Sequence, residues 1–163
     1  EELYFEVIRQ KTASLIASCC ACGAASADAS AEDIERMRLF GEKIGIAFQI
    51  KDDLFDFGHD DVGKPRGIDI KEKKVTLPLI YALKKCERQE KRRIINLVKN
   101  HNEDAEKIQE VIGFVKSTGG LELAEQTMFK YQNEAFEILR TFPDSEQRRS
   151  LEQLVRFTTE RKK

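Results

Sequence analysis

The chain has 163 residues, 40% of them apolar, which suits one domain or a large piece of one with a substantial core. Twenty-eight basic residues against 29 acidic ones leave a net charge of −1, so the composition gives no sign of a nucleic-acid surface or a polybasic membrane patch. The start is acidic rather than basic, and the longest apolar-leaning stretch, Leu15 to Ala27, is too short to span a bilayer; the expected location is the cytoplasm.

In chain order, residues 2–27 read as one helix. Leu3, Val7 or Ile8, Lys11, Leu15 and Cys19 recur near helical spacing, and the second half is lined by Ala, Ser, Cys and Gly. Cys19, Cys20 and Cys22 fall in that small-residue run, and Cys86 stands apart. With His59 and His101 as the only histidines, a zinc site has little support, and buried reduced thiols are the expectation. Residues 28–31 form a turn, with Ser30 as N-cap and Asp33 three positions on. From Ile34 the pattern Met37, Phe40 or Gly41, Ile44, Phe48, Lys51 and Phe55 predicts a long, largely buried helix that stops at Gly58.

Residues 58–74 carry three glycines and a proline without sustained periodicity, and read as a long charged loop, the kind usually functional or disordered. Helices resume at 76–83, with Pro78 in the first turn, and at 87–99. Asn102 is the expected cap of a helix running to Ser117. A turn at 118–120 precedes a long amphipathic helix from Leu121 to Phe142, closed by Pro143, and the last helix covers 145–159. No strand pattern and no internal repeat is present, so the fold class is all-α.

The informative segment is Phe48-Gln49-Ile50-Lys51-Asp52-Asp53-Leu54-Phe55-Asp56. On a helix, Asp52, Asp53 and Asp56 share roughly one face, with Gln49 a turn earlier. Three like charges repel, raise one another's pKa, and lie near a helix C-terminus where the dipole disfavours anions. A cation should compensate, and magnesium suits carboxylates combined with water and phosphate oxygens. Lys64, Arg66, Lys73 and Lys74 follow closely and suit a phosphate. Lys11, a lone cation followed by Thr12, suits one too. The plainer alternatives stay open from spacing alone: a solvated acidic face, with Lys51 as a surface partner, and Lys11 as an ordinary surface lysine. Arg88, Lys91, Arg92 and Arg93 read as a solvated face. Neither an EF-hand calcium loop around Asp60 and Asp61 nor a nucleotide-binding loop at Gly63-Lys64-Pro65 has the required spacing.

Taken together and in this order, Lys11-Thr12, Phe48-Gln49, Asp52-Asp53-Leu54-Phe55-Asp56, Gly63-Lys64-Pro65, Asp69-Ile70, Lys74, Thr76-Leu77-Pro78 and the Gly119-Gly120 turn resemble the C-terminal half of a trans-polyprenyl diphosphate synthase, of the long-chain type that makes quinone side chains. The resemblance spans nearly the whole chain. It implies an isoprenoid synthase-type bundle of helices around a deep cavity. It also implies condensation of an allylic diphosphate with isopentenyl diphosphate. Asp52, Asp53 and Asp56 would bind magnesium, and Lys11, Lys64 and Lys74 the allylic diphosphate. Thr12 and Gln49 would line the reacting centre, and Phe48 the isoprenoid wall. The family's first aspartate-rich motif is not in this sequence. The expectation is therefore an incomplete bundle from a longer enzyme, a homodimer when whole, inactive and prone to self-association as this piece. A class I terpene synthase and a non-catalytic helical subunit are the alternatives. The loop lysines and Thr76-Leu77-Pro78 disfavour the first; the retained aspartates disfavour the second.

Overall fold

The computed structural model describes residues 1–58 and 67–161, and every regular element in them is helical. In chain order these are α1 (Glu2–Ile8), a π-helical segment (Arg9–Ala13), α2 (Ser14–Ser26), α3 (Ala31–Phe57), α4 (Ile68–Lys71), α5 (Leu77–Lys85), α6 (Arg88–Asn100), α7 (Ala105–Ser117), α8 (Gly120–Arg140) and α9 (Glu146–Glu160). The chain divides into two compact units. Among described residues, one holds Glu1 and Asp52–Gln126, the other Glu2–Lys51 and Thr127–Arg161.

In the second of these units, the first helical stretch departs from the expected pattern. Leu3, Val7 and Leu15 are 76%, 50% and 67% exposed, and Lys11 and Cys19 are exposed as well. The buried positions are Ile8, Ala13 and Ala17. The step from Ile8 to Ala13 is five residues, which a single π turn at Arg9–Ala13 accommodates and an α-helix does not. Of the series read from the sequence, Ile8 is buried, while Leu3, Val7, Lys11, Leu15 and Cys19 lie on the outer face. Against the buried face lies α3, at glycine distance. A Cβ on Gly41 would sit 2.7 Å from the Ala17 Cα, and one on Gly45 2.7 Å from the Ala13 Cα. Two Gly–Ala contacts four residues apart on each helix set an antiparallel seam that only small residues permit. Further along the same unit, Phe40, Ile44, Ala47, Met128, Ala135, Phe136, Leu139 and Val155 are buried. Ser30 starts α3 as expected, its hydroxyl accepting the Asp33 N–H at 3.1 Å. Ser145 starts α9 by accepting the Arg148 N–H at 3.1 Å.

In the other unit, Phe57, Ile70, Leu79, Leu83, Ile94, Leu97, Ile108, Val111, Ile112 and Val115 form one apolar core. Pro78 lies in the first turn of α5, where its missing N–H costs nothing. The expected loop at 58–74 is interrupted by the one-turn helix α4, entered through Gly67 at φ +74°. A Cβ on Gly67 would meet Ile108 Cγ2 at 2.3 Å, so chain direction and packing both require glycine there. The expected cap Asn102 is displaced: Asp104 caps α7, accepting the N–H groups of Glu106 and Lys107. The amide of Asn102 instead donates to the Lys71 carbonyl at 2.5 Å. The thiols also differ from expectation: Cys19 and Cys22 are exposed and only Cys20 and Cys86 are half-buried.

The α3 seam makes a directional prediction. Alanine ordinarily stabilises a helix interior by about 1 kcal/mol over glycine. Gly45→Ala should instead lower stability by about 1–3 kcal/mol, because the new methyl overlaps the Ala13 backbone. A urea midpoint that stays level or rises in the variant would remove the seam.

Candidate functional site

The side chains singled out in the sequence fall into two groups, one in each unit. In the first group, Lys11 and Thr12 lie on the π segment. The Gly–Ala seam that holds this segment against α3 also brings Thr12 to Gln49, and the Thr12 hydroxyl donates to Gln49 Oε1 at 2.5 Å. That bond fixes which end of the Gln49 amide faces Thr12 and leaves the Nε2 donors for another partner. The π turn has a local consequence as well: its wider step turns Thr12 and Ala13 inward while Lys11 remains exposed. Phe48, half-buried, carries the Arg161 guanidinium over its ring at 4.4 Å from the centroid.

The second group is the end of α3 and the turn around α4. Asp53 and Asp56 are each only 9% exposed, and Asp52 is half-buried, so the three do not form a solvated face. Asp56 Oδ1 accepts the Ile68 N–H at 2.8 Å and Oδ2 the Asp69 N–H at 3.3 Å. The Asp56 carbonyl accepts the Gly67 N–H at 3.3 Å. Asp56 thus ties the end of α3 to the start of α4, eleven to thirteen residues on, through the positive-φ entry that Gly67 supplies. Its pKa is pushed up to about 6, first by burial and second by the charge of Asp69, against the opposing effect of the donated backbone N–H groups. The like-charge pressure expected from Asp52 and Asp53 is thus exerted on Asp56 by Asp69, a residue to which the sequence reading gave no role of its own.

Lys74 is exposed, and it is also ion-paired. Its ammonium pairs with Glu72 and lies 3.5 Å from Asp69, and this raises its pKa, the hydrogen bond to Glu72 contributing most. Glu72 was not foreseen either. Its signal in the sequence is its place two residues before Lys74. Lys64 lies outside the described residues.

Among the described residues, no three His, Cys, Asp or Glu side chains gather into a complete metal cage. The donor set nevertheless fits magnesium bound together with a phosphate ligand, which takes one or two carboxylates and fills its other positions with water and phosphate oxygens. Asp56 retains lone pairs on both oxygens after accepting one N–H at each. No helix among the described residues is long and apolar enough to cross a membrane.

Comparison with known proteins bears on the whole arrangement. The model of the family described as polyprenyl synthetase matches residues 1–115. A short chain isoprenyl diphosphate synthase of Methanothermobacter thermautotrophicus is 34% identical over 163 residues, covering 99% of this chain and 50% of the relative. A nonaprenyl diphosphate synthase of Mycobacterium tuberculosis is 32% identical over 162 residues, covering 98% of this chain and 48% of the relative. Among solved structures, a geranylgeranyl pyrophosphate synthase from Corynebacterium glutamicum, complexed with calcium and isoprenyl diphosphate, is similar with a TM-score of 0.87 and 35% identity. The match covers 98% of this chain and 50% of that one. The chain spans about half the length of the curated relatives it matches.

The raised pKa of Asp56 fixes the sign of a pH effect. Below the unfolded value near 3.8 the group is protonated folded or unfolded, and above about 6 it is ionised in both states, with the folded one carrying the cost of burial. Through this group, stability should rise as pH falls from about 6 toward 4, by on the order of 3 kcal/mol at most. Asp56→Asn should remove that rise. Urea midpoints for both proteins between pH 4 and 7 measure it, and parallel curves would contradict it.

Proposed function

The chain belongs to the polyprenyl synthetase family, and we propose that it supplies the diphosphate-binding part of a prenyl-transfer site. The reaction is condensation of an allylic diphosphate with isopentenyl diphosphate to give a longer trans-polyprenyl diphosphate. The observation that carries this reading is that the family motifs occur in order on one chain, with Thr12 bonded to Gln49 and Gln49 on the same helix as Asp52, Asp53 and Asp56.

In this reading Asp52, Asp53 and Asp56 hold magnesium, and Lys11, Lys64 and Lys74 hold the diphosphate of the allylic substrate. The bound metal supplies charge that draws electrons toward the departing diphosphate. The lysines do the same as point charges, and their attraction grows as the allylic C–O bond breaks and its electron pair leaves with the diphosphate. The Thr12 hydroxyl directs its proton to Gln49, which leaves its oxygen lone pairs to stabilise the electron-poor allylic carbon. Phe48 forms apolar wall and helps keep water from the cation until the double bond of isopentenyl diphosphate has attacked and a proton has left.

Turnover would need the family's first aspartate-rich motif, which these 163 residues do not contain, so in this reading the isolated chain binds without catalysing. A homodimer of the whole enzyme and self-association of this piece belong to the same reading, and the exposed Leu3, Val7 and Leu15 support it by offering apolar surface. Family membership leaves product length open, since relatives of similar identity are named for short and for nonaprenyl products.

Titration calorimetry with inorganic pyrophosphate tests the reading. Binding should require magnesium and weaken roughly tenfold or more in Asp52→Asn and several-fold in Lys64→Ala, in line with the loss of one charge-assisted contact. Equal heats for wild type and both variants would remove the site.

A further inference from the structure

The turn after α4 holds a lysine whose partner is of the same charge type as its expected ligand. Lys73 adopts φ +57°, a conformation side chains seldom take. The chain there is fixed by backbone bonds from the Lys73 N–H to the Ile70 carbonyl at 3.0 Å and from the Lys74 N–H to the Asp69 carbonyl at 2.8 Å. Asn102 braces the same turn through the Lys71 carbonyl at 2.5 Å. With the backbone fixed in this way, the Lys74 side chain is the part left to move. It lies against two carboxylates, Glu72 in direct contact and Asp69 at 3.5 Å.

The two carboxylates are not equivalent. Asp69 is 20% exposed, and its own N–H is bonded to Asp56. Glu72 is 51% exposed and carries its carboxylate on a two-methylene stem. An arriving diphosphate that took the Lys74 ammonium would leave Asp69 in place and push Glu72 aside, because like charges cannot share the ammonium without repulsion and the exposed one is easier to rehydrate.

Resting on the function proposed above, we propose that Glu72 is a displaceable holder of Lys74: in the free protein its carboxylate occupies the place of a diphosphate oxygen, and diphosphate binding exchanges the one anion for the other. Glu72 is a positioning residue that competes with the ligand. It keeps the ammonium aimed and weakens diphosphate binding, which favours release of the inorganic diphosphate that every prenyl transfer leaves behind. The exchange explains why a lysine needed for an anion is already paired in the free chain.

The test is a double-mutant cycle on this chain, with inorganic pyrophosphate and magnesium as the probe and calorimetry as the readout. Glu72→Gln should tighten binding about two- to fivefold at low ionic strength, the size of an exposed ion pair, and the gain should shrink as salt is added. In a Lys74→Ala background the same substitution should have no effect. Nitrogen-detected NMR of the Lys74 ammonium should move in the free protein on Glu72→Gln and, in the wild type, on adding pyrophosphate. The proposal is overturned if Glu72→Gln leaves affinity unchanged or weakens it, or if the gain persists without Lys74. A wild type that binds and loses affinity in Lys74→Ala, but is indifferent to Glu72→Gln, leaves the diphosphate site standing and removes only the exchange. A wild type that binds no pyrophosphate removes both.

Discussion

The carboxylate of Asp56 is the constraint on which its unit is arranged. A charge withdrawn from water is costly unless hydrogen bonds replace the solvent. Here the replacement is the chain itself, returning after Gly67 to aim the N–H groups of Ile68 and Asp69 at the two oxygens. Gly67 makes that return at a positive φ against Ile108, with no room for a side chain. The one-turn helix that follows fixes Asp69 beside Asp56, and its closing turn fixes Lys74 beside Asp69. The penalty is not fully cancelled, and the pKa remains near 6. A residual cost of this kind, at the end of a helix with two more aspartates, is what a bound cation would relieve; active sites tolerate such costs more often than scaffolds do.

The other unit rests on close approach instead of charge. Gly41 and Gly45 let α3 meet the backbone of Ala17 and Ala13, and the π turn brings the inward-facing residues into step with that seam. Thr12 and Gln49 meet at 2.5 Å as a result. A π turn stretches the helix by one residue at a cost in hydrogen-bond geometry, and such turns recur at functional positions. This one lies on Lys11 and Thr12, the residues the family resemblance assigns to the diphosphate and the reacting centre.

Much of this was legible in the sequence, for physical reasons that can be named. The long helix ending at Phe57 was visible because its apolar period is sustained and Gly58 follows; its start because Ser30 is a strong cap; and the start of α5 because Pro78 suits a first turn. The family motifs made the all-helical class legible as well. Four features were not. The 3.6 period joined Leu3, Val7 or Ile8, Lys11, Leu15 and Cys19, of which only Ile8 is buried, because one five-residue step shifts every later position to the neighbouring face. Helix α4 is too short to have a period. Asn102 and Asp104 are both good caps, and only the carbonyl of Lys71, thirty-one residues from Asn102, decides between them. Asp56 was read with its sequence neighbours, while its charge state is set first by burial and then by Asp69 and the N–H of Ile68, which arrive from thirteen and twelve residues away.

Manganese substituted for magnesium gives the most direct test that the aspartate end of α3 binds a metal together with diphosphate. In amide-resolved NMR of the chain, trace manganese with pyrophosphate should broaden resonances of Asp52–Asp56 and 68–74 before any others, and much less when pyrophosphate is left out. Broadening that is independent of pyrophosphate, or that appears first at exposed acids such as Glu32 and Glu35, would contradict it.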